Sequence, residues 1–458
     1  MASGEAAATA TTTTATTAAT TTTTLLPKPV LPRNIAASLE HQASGAASVR
    51  AGRFGEALYH FTMAIRADAL NPGLRLARAE AFMRLSQFPQ AEGDCMTALV
   101  AVRFYEHSLD LPNIFERLAE CALQTSNVAV SKRALDGLEF LGEKARYEKH
   151  TAAFKAHWQT MNDAYAKAKA SPDPRHDAHM NEMLARQAMH AAVHVRAPSI
   201  SLASTMLRAF PGGPRHPDVA LPQIKQMFAD CSAVEVRYGA KGFGVFATRA
   251  IKTGEVLLRE IPVVNAPVKP DAQCEFCLRA LRAKPVTCAP GCTALFCSAK
   301  CRDRATEEYH GPLCGMDWRD VMSQAAKGKT ASADHGVLAT KLFGMALAQA
   351  YKQGSPTMLC APADLPAVKL LWRATDVAAQ ELGDIRPLHW FHAFHKAALD
   401  CAESNGARSL AAYRLLLDPT LDVNAFAAVG YVLYANEIGY GGLRETGGAL
   451  RNLSGQRL

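Results

Sequence analysis

The sequence predicts a multidomain α+β fold, in which an N-terminal α-helical repeat array precedes a β-rich region, a cysteine-rich module and further helices. Three observations predict this order. Small and aromatic residues recur at a period of 34 from position 45, which is typical of paired, stacked helices. Apolar and polar residues alternate between glycine-containing turns over residues 234–260, as they do in strands. Seven cysteines and one histidine then fall between Cys274 and Cys314.

The composition excludes two classes of protein. The chain has 458 residues, which is enough for two or three domains with cores of their own. Hydrophobic residues make up 49% of it and charged residues 20%, with no apolar run long enough to span a membrane. The net charge of +8 is mild, and no stripe of lysine and arginine interleaves with aromatic residues. We therefore expect neither a membrane protein nor direct nucleic-acid binding.

Residues 1–37 form a segment of a different composition. Positions 6–24 are all alanine or threonine. Because such a segment has no large apolar side chains with which to build a core, it is predicted to be disordered. Hydroxyl-rich, acid-poor segments also occur in organelle transit peptides, but no arginine precedes Arg33. We expect a plain solvated tail, with organelle transit as the alternative.

Helical repeats begin near Leu39. A period of 34 aligns Gly45 with Ala79 and Phe54 with Phe88. It aligns three further pairs: Ala57 with Ala91, Phe61 with Cys95, and Ala64 with Ala98. Small residues where helices cross and an aromatic residue at the turn resemble the tetratricopeptide repeat (TPR), whose period is 34 residues. The resemblance implies a solenoid with a peptide-binding groove. An unrelated helical bundle with chance periodicity is the alternative.

The helical pattern continues beyond these two copies. A degenerate, offset third copy is predicted over residues 118–135, and further helices over residues 139–170 and 179–197. A break is predicted at residues 171–175, and the proline- and glycine-rich residues 211–217 mark a domain boundary.

Two groups of histidines are spaced like ligands on one helix face. They are His190 with His194, and His389 with His392 and His395. The glutamate of a zinc-protease motif is absent between His190 and His194. A solvated or partner-facing helix surface is therefore the favoured interpretation of both groups.

The cysteines and the histidine of the cysteine-rich module pair off at spacings typical of metal ligands. They read Cys274-x2-Cys277, Cys288-x3-Cys292, Cys297-x3-Cys301 and His310-x3-Cys314. Zinc binds four thiolate or imidazole ligands in a tetrahedron, so eight ligands make two structural sites with no position left for water. A disulfide framework and buried free thiols are disfavoured, because the cysteines are odd in number, the eighth ligand is a histidine and no secretory signal is evident. Binding two dications through seven thiolates would lower the net charge to about +5.

The order of these pairs resembles the MYND zinc finger, which binds two zinc ions in interleaved fashion. The resemblance implies that one ion is bound by Cys274, Cys277, Cys297 and Cys301. It implies that the other ion is bound by Cys288, Cys292, His310 and Cys314. The family more often has two residues between its third and fourth ligands, whereas Ala289, Pro290 and Gly291 make three here.

Strands are predicted immediately before the zinc ligands. The pattern indicates strands at residues 234–238, 245–248 and 255–260, and a turn at residues 239–244. The phrase KGFGVFATRAIKTGEVLL, which begins at Lys241, resembles the first strands of the SET lysine methyltransferase domain. The resemblance implies that the backbone around Gly242 and Gly244 approaches S-adenosylmethionine. It also implies that Lys241 pairs with the carboxylate of this cofactor.

The order of segments resembles the SET-and-MYND (SMYD) methyltransferases, in which the zinc finger and a helical insert interrupt the SET domain. One member of that family also carries helical repeats ahead of its SET core. Insert helices are predicted at residues 334–352, 374–382, 389–403 and 409–417. Residues 426–438 resemble the strand-forming segment after the insert, and the alignment implies that Asn436 contacts the cofactor. The resemblance implies a cytoplasmic or nuclear protein.

These patterns divide the chain into seven segments. They are a disordered tail (1–37), TPR-like repeats (38–170), a helical linker (171–230), the first SET strands (231–268), the MYND finger (271–318), the helical insert with the segment that follows it (319–437), and a glycine-rich tail (438–458).

The resemblance implies an S-adenosylmethionine-dependent methyltransferase whose substrate is a protein lysine. A working SET domain also needs an Asn-His-Ser-Cys segment, which forms the cofactor and lysine channel, and a later catalytic tyrosine. The sequence contains no Asn-His-Ser-Cys segment, so we assign no catalytic residue and expect a truncated, inactive chain. The alternative is a non-enzymatic adaptor whose TPR-like groove and MYND finger bind protein partners.

Overall fold

A computed structural model describes residues 29, 31, 33–105, 111–173, 175–191, 225, 232–239, 242–255, 263–267, 271–281, 283–288, 292–316, 330–362, 365, 368, 386–404 and 409–436. This part of the chain is mostly helical and contains two small antiparallel sheets, which is compatible with the predicted α+β class. None of its helices combines the length and the apolar character needed to cross a membrane.

The first eight helices of the described chain pack in sequence, each against the next. They are α1 (Ile35–Arg50), α2 (Phe54–Ala67), α3 (Pro72–Arg84), α4 (Phe88–Ala101), α5 (Leu111–Gln124), α6 (Val128–Phe140), α7 (Lys144–Ala170) and α8 (Ala178–Ala191). Helix α1 begins three residues before position 38, and Arg33 in the predicted tail pairs with Asp68 at 2.9 Å. The predicted break falls between α7 and α8, whereas residues 1–28 and 211–217 lie outside the described residues.

The same turn ends α1, α3, α5 and α6. Its second residue has a positive φ: 73° at Gly52, 57° at Ser86, 54° at Ser126 and 74° at Gly142. The residue after it donates its N–H to the carbonyl five positions earlier, which is the Schellman arrangement. These bonds join Arg53 to Ser48, Gln87 to Phe82, Asn127 to Ala122 and Glu143 to Leu138, at 2.8–3.0 Å. Recurrence of one turn at positions 52 and 86 accounts physically for the period of 34.

Small residues lie where paired helices cross. A Cβ atom on Gly45 of α1 would lie 2.7 Å from the Phe61 ring of α2, and one on Gly137 of α6 would lie 2.5 Å from the Phe115 ring of α5. Both distances are shorter than van der Waals contact, so each ring occupies the space that a larger residue would need. The glycines therefore set how closely these helices approach.

The two sheets are both antiparallel hairpins. Strand β1 (Val234–Gly239) pairs with β2 (Gly242–Ala247), with Val234 opposite Ala247 and Gly239 opposite Gly242. Two of the predicted strands are thus present, but the turn predicted at residues 239–244 is too long, because β1 extends to Gly239 and β2 begins at Gly242. The third, at 255–260, lies outside the described residues after Glu255. Strands β3 (Val286–Thr287) and β4 (Leu295–Phe296) pair within the cysteine-rich module.

Four longer helices follow that module in the described chain. The module itself contains two short helices, α9 (Ala299–Ala305) and α10 (Gly311–Leu313). The longer helices are α11 (Thr330–Lys352), α12 (Arg386–Glu403), α13 (Ser409–Leu416) and α14 (Val423–Asn436). Three of the predicted insert helices are present, and residues 374–382 lie outside the described residues.

The prediction of a strand-forming segment at residues 426–438 is wrong as far as residue 436, because α14 covers it. Asp422 caps this helix by accepting a hydrogen bond from the N–H of Ala425 at 2.9 Å. Phe426 and Val429, spaced i, i+3, are fully buried. The cap at Asp422 and the helical spacing of the buried residues favour a helix here, although an apolar run of this length also fits a strand.

The helical array and the C-terminal helices share one core. Helix α4 is buried along most of its length, since it contacts α3 and α5 as well as α12, α13 and α14. A Cβ atom on Gly93 would lie 2.7 Å from Cγ2 of Val423 in α14. Arg78 forms two hydrogen bonds to Asp94, at 2.6 and 2.7 Å, and lies 3.4 Å from Asp422. The helical array and the helices after the cysteine-rich module therefore pack as neighbours.

Candidate metal centres

The eight predicted zinc ligands lie in two groups of four. Site I comprises Cys274, Cys277, Cys297 and Cys301, and site II comprises Cys288, Cys292, His310 and Cys314. Within each group, all four ligand atoms lie within 4.8 Å of one another. The structure thus brings together the same two sets that the interleaved finger implies, including Cys288 and Cys292 with their longer spacing.

The separations fit a metal better than a disulfide. The Sγ atoms of Cys277 and Cys297 are 3.5 Å apart, and those of Cys288 and Cys314 are 3.3 Å apart. Sγ of Cys292 lies 3.4 Å from Nε2 of His310. A tetrahedron with metal–sulfur bonds of about 2.3 Å has edges of about 3.8 Å, whereas a disulfide bond is about 2.0 Å long. Either site could therefore hold a zinc ion after small shifts of its ligands.

A tight turn and the start of a short helix position the ligands of site I. Cys274 and Cys277 flank a tight turn, which is closed by a 3.0 Å bond from the N–H of Leu278 to the Cys274 carbonyl. Cys297 follows β4, and Ser298 caps α9 (Ala299–Ala305) by accepting a bond from the N–H of Cys301 at 3.2 Å. Cys297 thus precedes the helix, so this pair meets at a strand–helix junction rather than on one helix face.

A π-helical turn positions two of the site II ligands, His310 and Cys314. Helix α9 continues into a π-helical turn, Thr306–His310, and then into α10, Gly311–Leu313. His310 ends the π-helical turn, and Cys314 follows α10 with extended backbone angles. Beneath these elements lies a small apolar core, in which the buried ring of Phe296 contacts the His310 ring at a centroid distance of 5.9 Å.

In site I the surroundings favour ionisation of one thiol, Cys274, and oppose ionisation of a second, Cys277. Burial raises the pKa of the Cys274 thiol. Hydrogen bonds from the backbone N–H groups of Cys277, Cys297 and Phe276 lower this pKa by more than burial raises it, so that it falls to about 7. Burial raises the pKa of Cys277 to about 12, with contributions from Cys297 and Cys274. A dication is the group that stabilises several thiolates side by side. Sulfur-rich sets with one imidazole suit zinc, so the residues present fit this metal.

Three of the four predicted cofactor contacts lie in described elements. Gly242 and Gly244 lie in β2, where a Cβ atom on Gly244 would lie 2.8 Å from the Phe246 ring. Asn436 is the last residue of α14, and Lys241 lies outside the described residues. The assignment of a cofactor site to these four residues therefore stays a prediction.

The histidines lie in different surroundings from those predicted. His389 is exposed, but His392 and His395 are buried or half-buried against the helical array. Nε2 of His392 lies 2.9 Å from Oε1 of Glu92 in α4. The solvated interpretation is therefore wrong for these two residues, and the partner of His392 lies within the chain. His190 belongs to α8, and His194 lies outside the described residues.

A third group of side chains that could bind a metal was not predicted from the sequence. Glu116 and Glu120 of α5 and His150 of α7 hold their ligand atoms within 4.8 Å of one another. Both carboxylates already have protein cations: Lys149 lies 3.2 Å from Glu116, and Arg117 lies 2.5 Å from Glu120. This group is an ion-pair network that joins α5 to α7.

A cavity of about 470 Å³ lies beside site II. Cys314 is part of its wall, together with Thr306, Pro312, Met316, Ala348 and Tyr351. The cavity thus lies between the end of the metal module and α11, and much of its wall is apolar.

Comparison with known proteins finds four relatives, all with one name. Human protein-lysine N-trimethyltransferase SMYD5 is 36% identical over 115 aligned positions, which cover 18% of this chain and 28% of the relative. The mouse protein is 35% identical over 115 positions, with the same coverage of 18% and 28%. The zebrafish protein is 28% identical over 131 positions, covering 20% and 32%.

The matched stretch is therefore short: the chain spans about 30% of the length of these curated relatives. No family model matches the chain. No solved structure matches it either. The relatives carry the name that the order of motifs implied, so over the matched stretch this chain is related to the SMYD-type protein-lysine methyltransferases.

Proposed function

We propose that this chain is a zinc-binding protein of the SET-and-MYND type, derived from S-adenosylmethionine-dependent protein-lysine methyltransferases. The observation that carries the proposal is the pair of interleaved ligand sets at sites I and II. Similarity to SMYD5 proteins supports it. In this proposal β1 and β2 are the first strands of a SET domain, and α1–α8 are TPR-like repeats.

Both metals would be structural. Site I would hold zinc through four thiolates, and site II through three thiolates and the imidazole of His310. Each set completes a tetrahedron, so no position remains for a reacting water. The metals would instead join three short elements, the Cys274–Cys277 turn, the β3–β4 hairpin and the α9–α10 segment, which are too small to fold on a core of their own.

The residues proposed to contact S-adenosylmethionine are Lys241, Gly242, Gly244 and Asn436. When bound, this cofactor supplies the methyl group. In this proposal Gly242 and Gly244 would present the backbone of β2 to the cofactor. Methyl transfer also needs a deprotonated amine held in line with the methyl group. Because the sequence contains no Asn-His-Ser-Cys segment, we expect this polypeptide by itself to transfer no methyl group.

Three measurements test this function. Metal analysis of the purified chain should find two zinc ions per molecule, and fewer than one would overturn the proposal. Calorimetric titration with S-adenosylmethionine should detect weak binding or none. Incubation with labelled S-adenosylmethionine and a protein mixture should transfer no label, so transfer above the background of a heat-denatured sample would contradict the inactivity.

A second candidate function is that of an adaptor, which two surface features favour. Phe140 at the end of α6 and Trp158 of α7 are 89% and 41% exposed, and large exposed apolar side chains are common at protein-binding surfaces. The apolar cavity beside site II would suit a proline-containing segment of a partner. We propose protein partners at both places.

Capture experiments distinguish the adaptor from the methyltransferase. The purified chain is used as bait beside two variants, Phe140→Ser/Trp158→Ser in the helical array and Cys301→Ser in the metal module. Partners lost with one variant and retained by the other would support an adaptor. If no partner depends on either variant, the adaptor function is contradicted.

A further inference from the structure

One buried lysine joins the metal module to the helical core. Lys341 of α11 and Glu275 of the Cys274–Cys277 turn each have side chains that are 1% exposed, and Nζ lies 2.8 Å from Oε1 of Glu275. The same Nζ atom donates to two backbone carbonyls, of Asn265 at 2.7 Å and of Glu275 at 3.0 Å. Desolvation of a lysine and a glutamate is costly unless their hydrogen bonds are made. The backbone contacts supply such bonds, and they lie next to a metal ligand.

Two further groups hold the same turn from the same side. The hydroxyl of Tyr309 donates to the Glu275 carbonyl at 3.2 Å. Nδ2 of Asn265 donates to the Phe276 carbonyl at 3.0 Å. Nζ of Lys341 also lies 4.9 Å from the centre of the Tyr309 ring. Lys341, Tyr309 and Asn265 therefore form one outer layer around this turn.

These carbonyls belong to the peptide groups that face the sulfur of Cys274. The Glu275 carbonyl and the Phe276 N–H are parts of one planar peptide group, and so are the Phe276 carbonyl and the Cys277 N–H. In a trans peptide the two groups point in opposite directions. The N–H groups of Phe276 and Cys277 both donate to Cys274. A donor that holds the carbonyl therefore aims the N–H at the sulfur and polarises it.

The position of Lys341 is set by the packing of its helix. Gly344 lies one turn further along α11, and a Cβ atom there would lie 2.4 Å from the Tyr309 carbonyl and 2.7 Å from Leu313. Helix α11 thus approaches the π-helical turn and α10 at backbone distance. Lys341 is held at a fixed depth from which its ammonium reaches the turn.

We propose that Lys341 is a positioning residue of site I: it orients the Phe276 N–H through the Glu275 carbonyl and, through Asn265, the Cys277 N–H, and so makes metal retention at site I, but not at site II, depend on this side chain. The ammonium also offsets negative charge, because four thiolates on a dication carry a net charge of −2 beside the Glu275 carboxylate. Outer partners of metal ligands typically change metal affinity by tenfold to a hundredfold. The inference rests on the zinc-binding part of the proposed function and goes beyond it.

The experiment uses the full chain loaded with ¹¹³Cd, because the cadmium resonance of four sulfurs is distinct from that of three sulfurs and one nitrogen. A chelator is added, and loss of each resonance is followed separately. We expect Lys341→Met to accelerate metal loss from site I by about tenfold or more, and from site II by less than about twofold. Equal acceleration at both sites, or none at site I, would overturn the inference.

A matched control lies on the same helix. Lys352 pairs with Glu307 of the π-helical turn at 3.0 Å, but both side chains are more than half exposed. Lys352→Met therefore also removes an ion pair between α11 and the module, and it should leave both release rates unchanged. A change at site I like that of Lys341→Met would assign the effect to general loosening and overturn the inference.

A double variant separates positioning from charge neutralisation. In Lys341→Met/Glu275→Gln the unpaired buried carboxylate is gone, so the stability lost in the single variant should largely return. Fast release from site I should persist, because the carbonyl donor is still missing. Restoration of slow release would show that Lys341 only neutralises Glu275.

A second variant and the spectrum of the unmutated chain cover the cases in which Lys341→Met fails to fold or no metal binds. If Lys341→Met does not fold, Asn265→Ala removes the bond to the Phe276 carbonyl and the 3.5 Å contact of Oδ1 with Nζ of Lys341, while the two backbone carbonyls that accept from Nζ remain. It should accelerate release from site I by a smaller factor, and an unchanged rate would overturn the inference. If the unmutated chain shows no cadmium resonance, the zinc-binding proposal itself fails. Two resonances with no effect of the variants would contradict only the role of Lys341.

Discussion

The imidazole of His392 and the carboxylate of Glu92 meet at 2.9 Å, although one lies near the end of the described chain and the other in its first third. Glu92 is fully buried, and it also accepts hydrogen bonds from Nδ2 of Asn127 at 2.9 Å and from the hydroxyl of Thr125. One carboxylate thus joins α4, the turn between α5 and α6, and α12. It forms one polar centre of this interface, and Arg78 with Asp94 and Asp422 forms another.

We expect Glu92→Gln to destabilise the folded chain by about 2 kcal/mol, because the amide presents donors to a site where the neighbours are donors. The free energy of unfolding from urea titration measures it. Glu148→Gln is the control, since Glu148 is exposed and lies 3.9 Å from Lys144, and it should change stability by less than about 0.5 kcal/mol. A similar effect of both variants would contradict the role of Glu92.

His395 should make the chain less stable in mild acid. Burial lowers the pKa of His395 to about 3, with repulsion from His392, Arg133, Arg75 and Arg103. The unfolded chain binds a proton at about pH 6.5. Between these values the unfolded state holds more protons, so stability falls as the pH falls below about 6.5.

The change that tests this is His395→Leu, in urea unfolding at pH 7.5 and 5.5. His395 contributes a loss of about 1.4 kcal/mol at pH 5.5, which the variant should not show. The comparison is between the pH dependences of the two proteins, so effects of pH on the metal sites cancel. Parallel pH dependences would contradict the buried, neutral imidazole.

Replacing the serines of the repeated turn should stabilise the array. Ser86 and Ser126 adopt left-handed angles at the position where the equivalent turns have glycine. Ser86→Gly and Ser126→Gly should each add about 0.5–1 kcal/mol to the free energy of unfolding, because glycine carries no Cβ strain there. The reciprocal variant Gly52→Ser should remove a similar amount. Thermal unfolding measures all three, and a loss with Ser86→Gly would contradict the strain argument.

Gly93 should tolerate no side chain while Val423 is present. Gly93→Ala would place Cβ 2.7 Å from Cγ2 of Val423, and overpacking of this kind costs about 1–3 kcal/mol. Gly93→Ala/Val423→Ala should lose less than the sum of the single variants, because the contacted methyl group is absent. Gly55→Ala has nothing within 4 Å of the new Cβ and should be neutral or slightly stabilising. Urea unfolding gives the four values, and additivity would contradict the contact.

The ligand sets of the metal module could be predicted because each ligand pair is local. Spacings of two or three residues bring Cys274 to Cys277 and Cys297 to Cys301 whatever the rest of the fold does. The partition into sites I and II needed the resemblance, since spacing alone does not say which pairs combine. The helical array was predictable for a similar reason, because one turn recurs at positions 52 and 86.

Contacts between distant segments left no signal in the sequence. Glu92 and His392, or Lys341 and Glu275, are ordinary polar residues on amphipathic helices and turns, and only the packing of α4 and α11 shows that they are buried. The strand predicted at 426–438 was wrong because a short apolar run fits either a strand or a buried helix. The cap at Asp422 was the local sign that decided between them.

Burial of α4 on two sides also has a consequence for synthesis of the chain. The surface around Gly93 leaves the ribosome before Val423, which covers it, has been made. At roughly 5–20 residues per second the interval is about 15–65 s. During that time an apolar face of a nearly complete helical array faces water, and it invites association with other nascent chains.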